Sequence, residues 1–195
     1  MDERILTLRE KAKLNGEPIL RDESYKLLLK TVREKTPLSI LEVGVNLGLS
    51  GISMLLESPN AKLTGIEIDE EKVQIAKENY KLFGVEDRAK ILIGDASEIL
   101  PLLTGTYDFI FLDGPKGHYY EYSQHLLPCL NVGGTLFADN VLFRGYVNGK
   151  VKTPHRFNTT KNSMLNFLDA VTKTQGLCTV IYDIEDGVSI TEKIK

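Results

Sequence analysis

Apolar positions along this chain follow two alternating rhythms. Short runs of apolar or β-branched residues are each followed by a longer stretch whose apolar residues return every three or four positions. That alternation predicts strands and helices laid over a mostly parallel sheet. The first run is Ser39–Val43, with a helix starting near Leu49. Lys62–Glu67 comes next, and then Glu70 to Phe83, where Val73, Ala76, Tyr80 and Phe83 share one helical face and Gly84 marks the stop. Further strands are predicted at Ala89–Ile93 and Tyr107–Leu112, and a helix over Tyr119–Leu130. Gly133-Gly134 is read as a turn into a fifth strand, Thr135–Ala138.

The rhythm changes near the C-terminal end. A helix over Ser163–Lys173 precedes two strand-like runs, Cys178–Tyr182 and Val188–Thr191, joined through Asp186-Gly187, a pair that favours a hairpin. The expectation is five parallel strands plus a terminal antiparallel hairpin, seven in all, with helices on both faces. No linker or repeat divides residues 1–195, so one domain is expected. Two N-terminal helices, Leu6–Asn15 and Glu23–Glu34, would form a cap over residues 1–36.

Composition adds a few exclusions. A formal charge of −3 rules out binding to nucleic acid by global charge alone, though not through a local patch. Cys129 and Cys178 have no CxxC spacing and no His partner at zinc spacing, which suggests free thiols in a reducing compartment. The charged segment Met1–Asn15 is unlike a signal peptide, and no stretch has the length of a membrane span, so a cytoplasmic protein is expected.

Chemistry gathers where strands end. The first strand runs into Glu42-Val43-Gly44-Val45-Asn46-Leu47-Gly48-Leu49-Ser50, a glycine-bearing turn that lets backbone approach a ligand closely. Glu67 closes the second strand at about the distance where a carboxylate can accept from ribose hydroxyls. Gly94-Asp95-Ala96 closes the third. Together these predict a ligand containing a nucleoside. Asn46 stands where a dinucleotide fingerprint requires glycine, which favours a ligand without a pyrophosphate. Asp113, Asp139 and Asn140 follow the fourth and fifth strands and offer the hard oxygens that Mg²⁺ prefers. Neighbouring residues on a strand point to opposite faces, so Asp139 and Asn140 can converge only if the chain turns there.

The motifs Ile40–Ser50, Gly65-Ile66-Glu67, Gly94-Asp95-Ala96, Phe111-Leu112-Asp113 and Ala138-Asp139-Asn140-Val141 resemble those of the metal-dependent O-methyltransferases. That family includes the catechol and caffeoyl-CoA enzymes. The resemblance implies a Rossmann-like α/β methyltransferase fold that binds S-adenosylmethionine and a divalent metal, with Mg²⁺ the first expectation. By the same resemblance Glu42, Gly44 and Ser50 would serve the methionine portion, within the turn that also holds Asn46 and Gly48. Glu67 would hold the ribose, and Asp95 and Ala96 would border the adenine. Asp113 would touch both the cofactor's amino group and the metal, which Asp139 and Asn140 would complete. Lys116 matches the family's catalytic lysine, and His118 is a second candidate base.

For the acceptor, Asn140–Gly145 and Glu17–Leu20 look closest to bacterial enzymes that methylate 5-hydroxyuridine in tRNA. The basic residues Arg144, Lys150, Lys152, His155, Arg156 and Lys161 could then meet phosphates of an anticodon loop. The aromatic residues available for stacking are Phe143, Tyr146 and Phe157. The alternative is a small catechol-like molecule, with the basic loop merely solvated. A different class, an NAD-binding oxidoreductase or an inactive cofactor-binding module, is opposed by Asn46 and by the intact Asp113, Asp139, Asn140 and Lys116. The family also implies a homodimer with the N-terminal helices near the shared surface.

Overall fold

In the computed structural model, which describes residues 2–195, seven strands form one sheet in the order β3-β2-β1-β4-β5-β7-β6. β1 is Ser39–Val43, β2 Lys62–Glu67, β3 Ala89–Ile93, β4 Tyr107–Leu112, β5 Leu130–Asp139, β6 Leu177–Tyr182 and β7 Val188–Lys193. The first five run parallel, while β7 lies antiparallel between β5 and β6. The helices are α1 (Glu3–Leu14), α2 (Asp22–Lys35), α3 (Leu49–Glu57), α4 (Glu70–Leu82), α5 (Ala96–Ile99), α6 (Tyr119–Cys129) and α7 (Asn158–Lys173). No described helix is long and apolar enough to cross a membrane.

Strand alternation divides the core into two layers. Ile40, Phe109, Phe111 and Phe137 face the side of α1 to α4, whereas Leu41, Ile110, Leu112 and Leu136 face α6 and α7. Each fully buried side chain of this size contributes roughly 1.5–3 kcal/mol. The central strands are buried on both faces, which is why they read as continuous apolar runs.

Two elements differ from expectation. Gly133-Gly134 does not end a connection; it lies within β5, which starts at Leu130 and shifts register against β4 between Tyr107 and Phe109. Gly133 at φ +84° lets the strand bend without breaking. α7 begins at Asn158, earlier than its apolar positions indicate, because its first turns, Asn-Thr-Thr-Lys-Asn, carry no apolar residue.

The turn between β6 and β7 acts as a clamp. Val141 N donates to Gly187 O (2.9 Å), Leu142 N to Asp186 O (2.8 Å) and Arg144 N to Asp186 Oδ1 (2.8 Å). Glu185 accepts from the backbone of Glu23 and Ser24 and from the Ser24 hydroxyl, so the same turn caps α2. A Cβ on Gly187 would run into Leu142, and φ there is +84°. Only glycine fits.

Candidate active site

A cleft of about 500 Å³ opens at the carboxyl ends of β1 to β4, where an open α/β sheet binds ligands. Of the residues expected from sequence, Gly44, Asn46, Glu67, Asp95, Ala96, Asp113 and Lys116 line it, and so does His118.

Glu67 is held rigidly. Its carboxylate accepts from Asn46 N (2.8 Å), Ile68 N (2.9 Å) and Asp69 N (3.0 Å). Four lone-pair sites accept three bonds, so at least one remains for a ligand hydroxyl. Asn46 sits at φ 48°, the left-handed region that asparagine tolerates, and its amide donates to Pro18 O (2.7 Å). At Gly44 a Cβ would collide with the Asp113 carbonyl, so this glycine lets the ends of β1 and β4 come together. Asp95 caps α5 by accepting from Ser97 N (2.8 Å).

Five expected residues do not line the cleft: Glu42, Gly48 and Ser50, and, where β5 ends, Asp139 and Asn140. Gly48 turns the chain at φ +76° into α3, and a Cβ there would press on Tyr80. Ser50 borders a separate small cavity and bonds to Glu42. Glu42 is fully buried beneath α3, with Oε2 unpartnered beside the Tyr80 hydroxyl, in space that Gly51 leaves open. Burial pushes its carboxyl up to about 8; the Ser50 bond opposes the rise, and Asp113 and Glu67 add to it.

On the far side, Lys116 Nζ pairs with Asp113 Oδ1 at 2.7 Å. Asp139 ends β5 almost wholly buried, and its Oδ1 has no hydrogen-bond partner among the described residues. Burial, and after it the charge of nearby Asp113, raise its carboxyl to about 7 against the lowering effects of the Asn140 N–H, Lys116 and Ser24. Asn140 follows at φ 56°, the turn that the Asp-Asn spacing requires. Sequence reasoning missed Tyr119. Its buried hydroxyl reaches Leu112 O (3.1 Å) and Asp139 O (3.0 Å), tying the ends of β4 and β5 together. An aromatic residue soon after a strand-end acid was the available signal.

An orphaned, buried carboxylate oxygen beside a second carboxylate fits a divalent cation. No three His, Cys, Asp or Glu side chains converge among the described residues. A third oxygen for the candidate set would have to come from the Asn140 amide.

Beyond Asn140, Phe143, Tyr146 and Phe157 form one aromatic cluster with centroids 5.5 to 5.7 Å apart. Arg144 and Arg156 lie over Phe157 at 5.6 and 4.8 Å. Lys150 pairs with Asp183, while Lys152 is exposed. His118 bonds Glu121 and stacks on Tyr122, which leaves it oriented but already engaged.

A family model described as O-methyltransferase matches residues 7–194. A caffeoyl-CoA O-methyltransferase of Stellaria longipes is 33% identical over 139 residues, covering 68% of this chain but 56% of that enzyme. One from Citrus natsudaidai is 27% identical over 175 residues, covering 85% of this chain and 74% of its own length. Among solved structures, a Staphylococcus aureus protein provisionally named a caffeoyl-CoA O-methyltransferase superposes with TM-score 0.87 at 29% identity, covering 97% of this chain and 91% of that one. The O-methyltransferase TomG of Streptomyces achromogenes, solved with S-adenosylmethionine, shares the fold at TM-score 0.87 and 22% identity, covering 100% and 91%.

Proposed function

This chain belongs to the O-methyltransferase family, and from that premise we propose that it transfers the methyl group of S-adenosylmethionine to a hydroxyl of an acceptor with two vicinal oxygens. Asp113, Asp139 and Asn140 would hold a divalent cation, Mg²⁺ in the first instance. The observation that carries this reading is the unpartnered, buried Oδ1 of Asp139, whose carboxyl is raised towards neutrality beside Asp113. Such a carboxylate lacks a positive charge to complete its surroundings.

S-adenosylmethionine brings an electrophilic methyl group, and a cation at this site lowers the pKa of the acceptor hydroxyl. The protein's part is positioning and proton transfer. Glu67, fixed by three backbone N–H groups, accepts from the ribose hydroxyls. Asp95 and Ala96 border the base. Lys116 takes the acceptor's proton at Nζ. In this structure Nζ pairs with Asp113 as an ammonium, so Lys116 would have to release its own proton to solvent before it could act as the base, and a cation held by Asp113 would weaken that ion pair. Tyr119 keeps Asp113 and Asp139 at a constant spacing by bridging the strand ends behind them.

The named relatives favour a small vicinal-dihydroxy aromatic acceptor. A second reading, 5-hydroxyuridine in tRNA, has one observation of its own: the Phe143, Tyr146 and Phe157 cluster flanked by Arg144 and Arg156. Aromatic faces and arginines side by side suit bases and phosphates of single-stranded RNA.

The test is methyl transfer from labelled S-adenosylmethionine to catechol and to hydroxyuridine-containing tRNA, each with Mg²⁺ or excess EDTA. Metal-dependent labelling of catechol far above tRNA supports the small acceptor; the reverse supports RNA. Equal turnover in EDTA refutes the metal role.

A further inference from the structure

Arg9 on α1 is the one Lys or Arg side chain buried among the described residues, with 3% of its surface exposed. Both of its hydrogen bonds leave through a single nitrogen, Nη2, to Leu20 O (2.7 Å) and Asp22 Oδ1 (3.2 Å). Its guanidinium plane lies over Tyr25 at 3.6 Å. A guanidinium has five N–H donors, and the Asp22 carboxylate is more than half exposed, where a salt bridge contributes little. The charge is buried and under-compensated.

Arg9 borders a small cavity of about 30 Å³ together with Asn46, Ser50 and Asp113. The cavity shares Pro18, Gly44, Asn46 and Asp113 with the large cleft, so the two are adjoining compartments. The nine-residue helix α3 starts at its edge, and the N-cap, Gly48, supplies no side-chain acceptor for the first N–H groups. This compartment is therefore lined by the Arg9 cation, by Ser50, whose hydroxyl donates to Glu42, and by the acidic Asp113, with the uncapped N–H groups of α3 at its edge. That polarity is complementary to an α-amino acid, with its carboxylate towards Arg9 and its ammonium towards Asp113.

We infer that Arg9 is a cofactor-binding residue whose guanidinium receives the carboxylate of the amino-acid end of S-adenosylmethionine. The inference rests on the cofactor reading above and adds to it a contact from the N-terminal cap. On this account α1 is part of the binding site.

The test is calorimetric binding to the full chain of two ligands: S-adenosylhomocysteine, which keeps the amino acid, and methylthioadenosine, which lacks it. Arg9→Met is expected to weaken S-adenosylhomocysteine roughly 10- to 100-fold, the range of a charge-assisted hydrogen bond, while methylthioadenosine changes less than about twofold. Arg9→Lys should recover part of the loss. Asp22→Asn removes the other partner of Arg9 without touching the cavity and should leave both affinities near wild type. Equal weakening of both ligands by Arg9→Met, or loss of binding in Asp22→Asn, would make Arg9 a structural staple and overturn the inference. Unchanged S-adenosylhomocysteine binding would overturn it too. Wild-type protein that binds neither ligand would instead refute the cofactor reading itself.

Discussion

The two halves of the cleft are built on opposite principles. On the β1–β3 side the polar groups that line the cleft already have partners, the orphaned Glu42 Oε2 lying beneath them and off the cleft: Glu67 accepts three backbone N–H groups, Asn46 donates to Pro18, and Asp95 caps a helix. On the β4–β5 side they lack them: among the described residues Asp139 Oδ1 has no partner and the Asp113 side chain is held only by Lys116, and three residues, Asn140, Phe143 and Arg144, take left-handed conformations against Asn46 alone among the non-glycine residues of the other side. The first half is held rigid before any ligand arrives, as the proposed binding of a neutral sugar and base would require. The second holds charge and backbone strain that a cation and an acceptor would relieve.

This contrast breaks most visibly at Asp139. If Asp139 holds the proposed cation, Asp139→Ala should lower metal-supported methyl transfer by at least about a thousandfold while S-adenosylhomocysteine affinity stays within about threefold, since Asp139 does not line the nucleoside side of the cleft. Calorimetry and a radiolabel assay on the same preparation would check both; parallel losses would mean the halves are not independent. Next in size, Lys116→Ala should reduce kcat about 100-fold or more with a smaller change in acceptor KM, the general-base range. Normal turnover across pH would remove Lys116 as the base.

A stability effect sharpens the comparison from the buried side. The Glu42 carboxyl is raised from 4.5 to about 8, so between those values the folded protein keeps a proton that the unfolded chain has released. Stability therefore falls as pH rises through that window. Glu42→Gln should flatten the slope and stabilise the protein above pH ~8 by on the order of a few kcal/mol, as read from urea midpoints against pH. An unchanged slope would assign the pH dependence to other groups. Smallest of all, Arg144→Ala with Arg156→Ala should lower tRNA affinity severalfold and flatten its salt dependence by about two ions. An unaltered salt slope would leave the aromatic rim to a small acceptor.

The sheet was readable in the sequence because its central strands are buried on both faces. β2, β3 and β4 fall where their apolar runs place them, and Glu67 and Asp113 are visible as acids at strand ends. β5 was harder because glycines signal a turn whether or not the ladder continues through them. The depth of Glu42 was hidden as well. Its neighbours Ser50, Gly51 and Tyr80 meet it only after α3 and α4 have folded back onto the sheet. The clamp had no local signature either, since Ser24 and Glu185, or Arg144 and Asp186, are distant in sequence. Periodicity reports burial within an element. It does not report pairing between remote loops.

The Gly187–Leu142 contact has a consequence for the order in which this protein becomes competent during synthesis. Of the seven strands of this sheet β7 is made last, yet it supplies a neighbour to the strand that carries Asp139, and the turn before it a seat for the loop after Asn140. A chain still emerging from the ribosome can shape the turn around Gly44 and Glu67 from residues already released. It has no template for the loop beyond Asn140 until Asp186 and Gly187 arrive. Cofactor binding would then appear on the nascent chain before methyl transfer does, so unfinished polypeptides are kept catalytically silent.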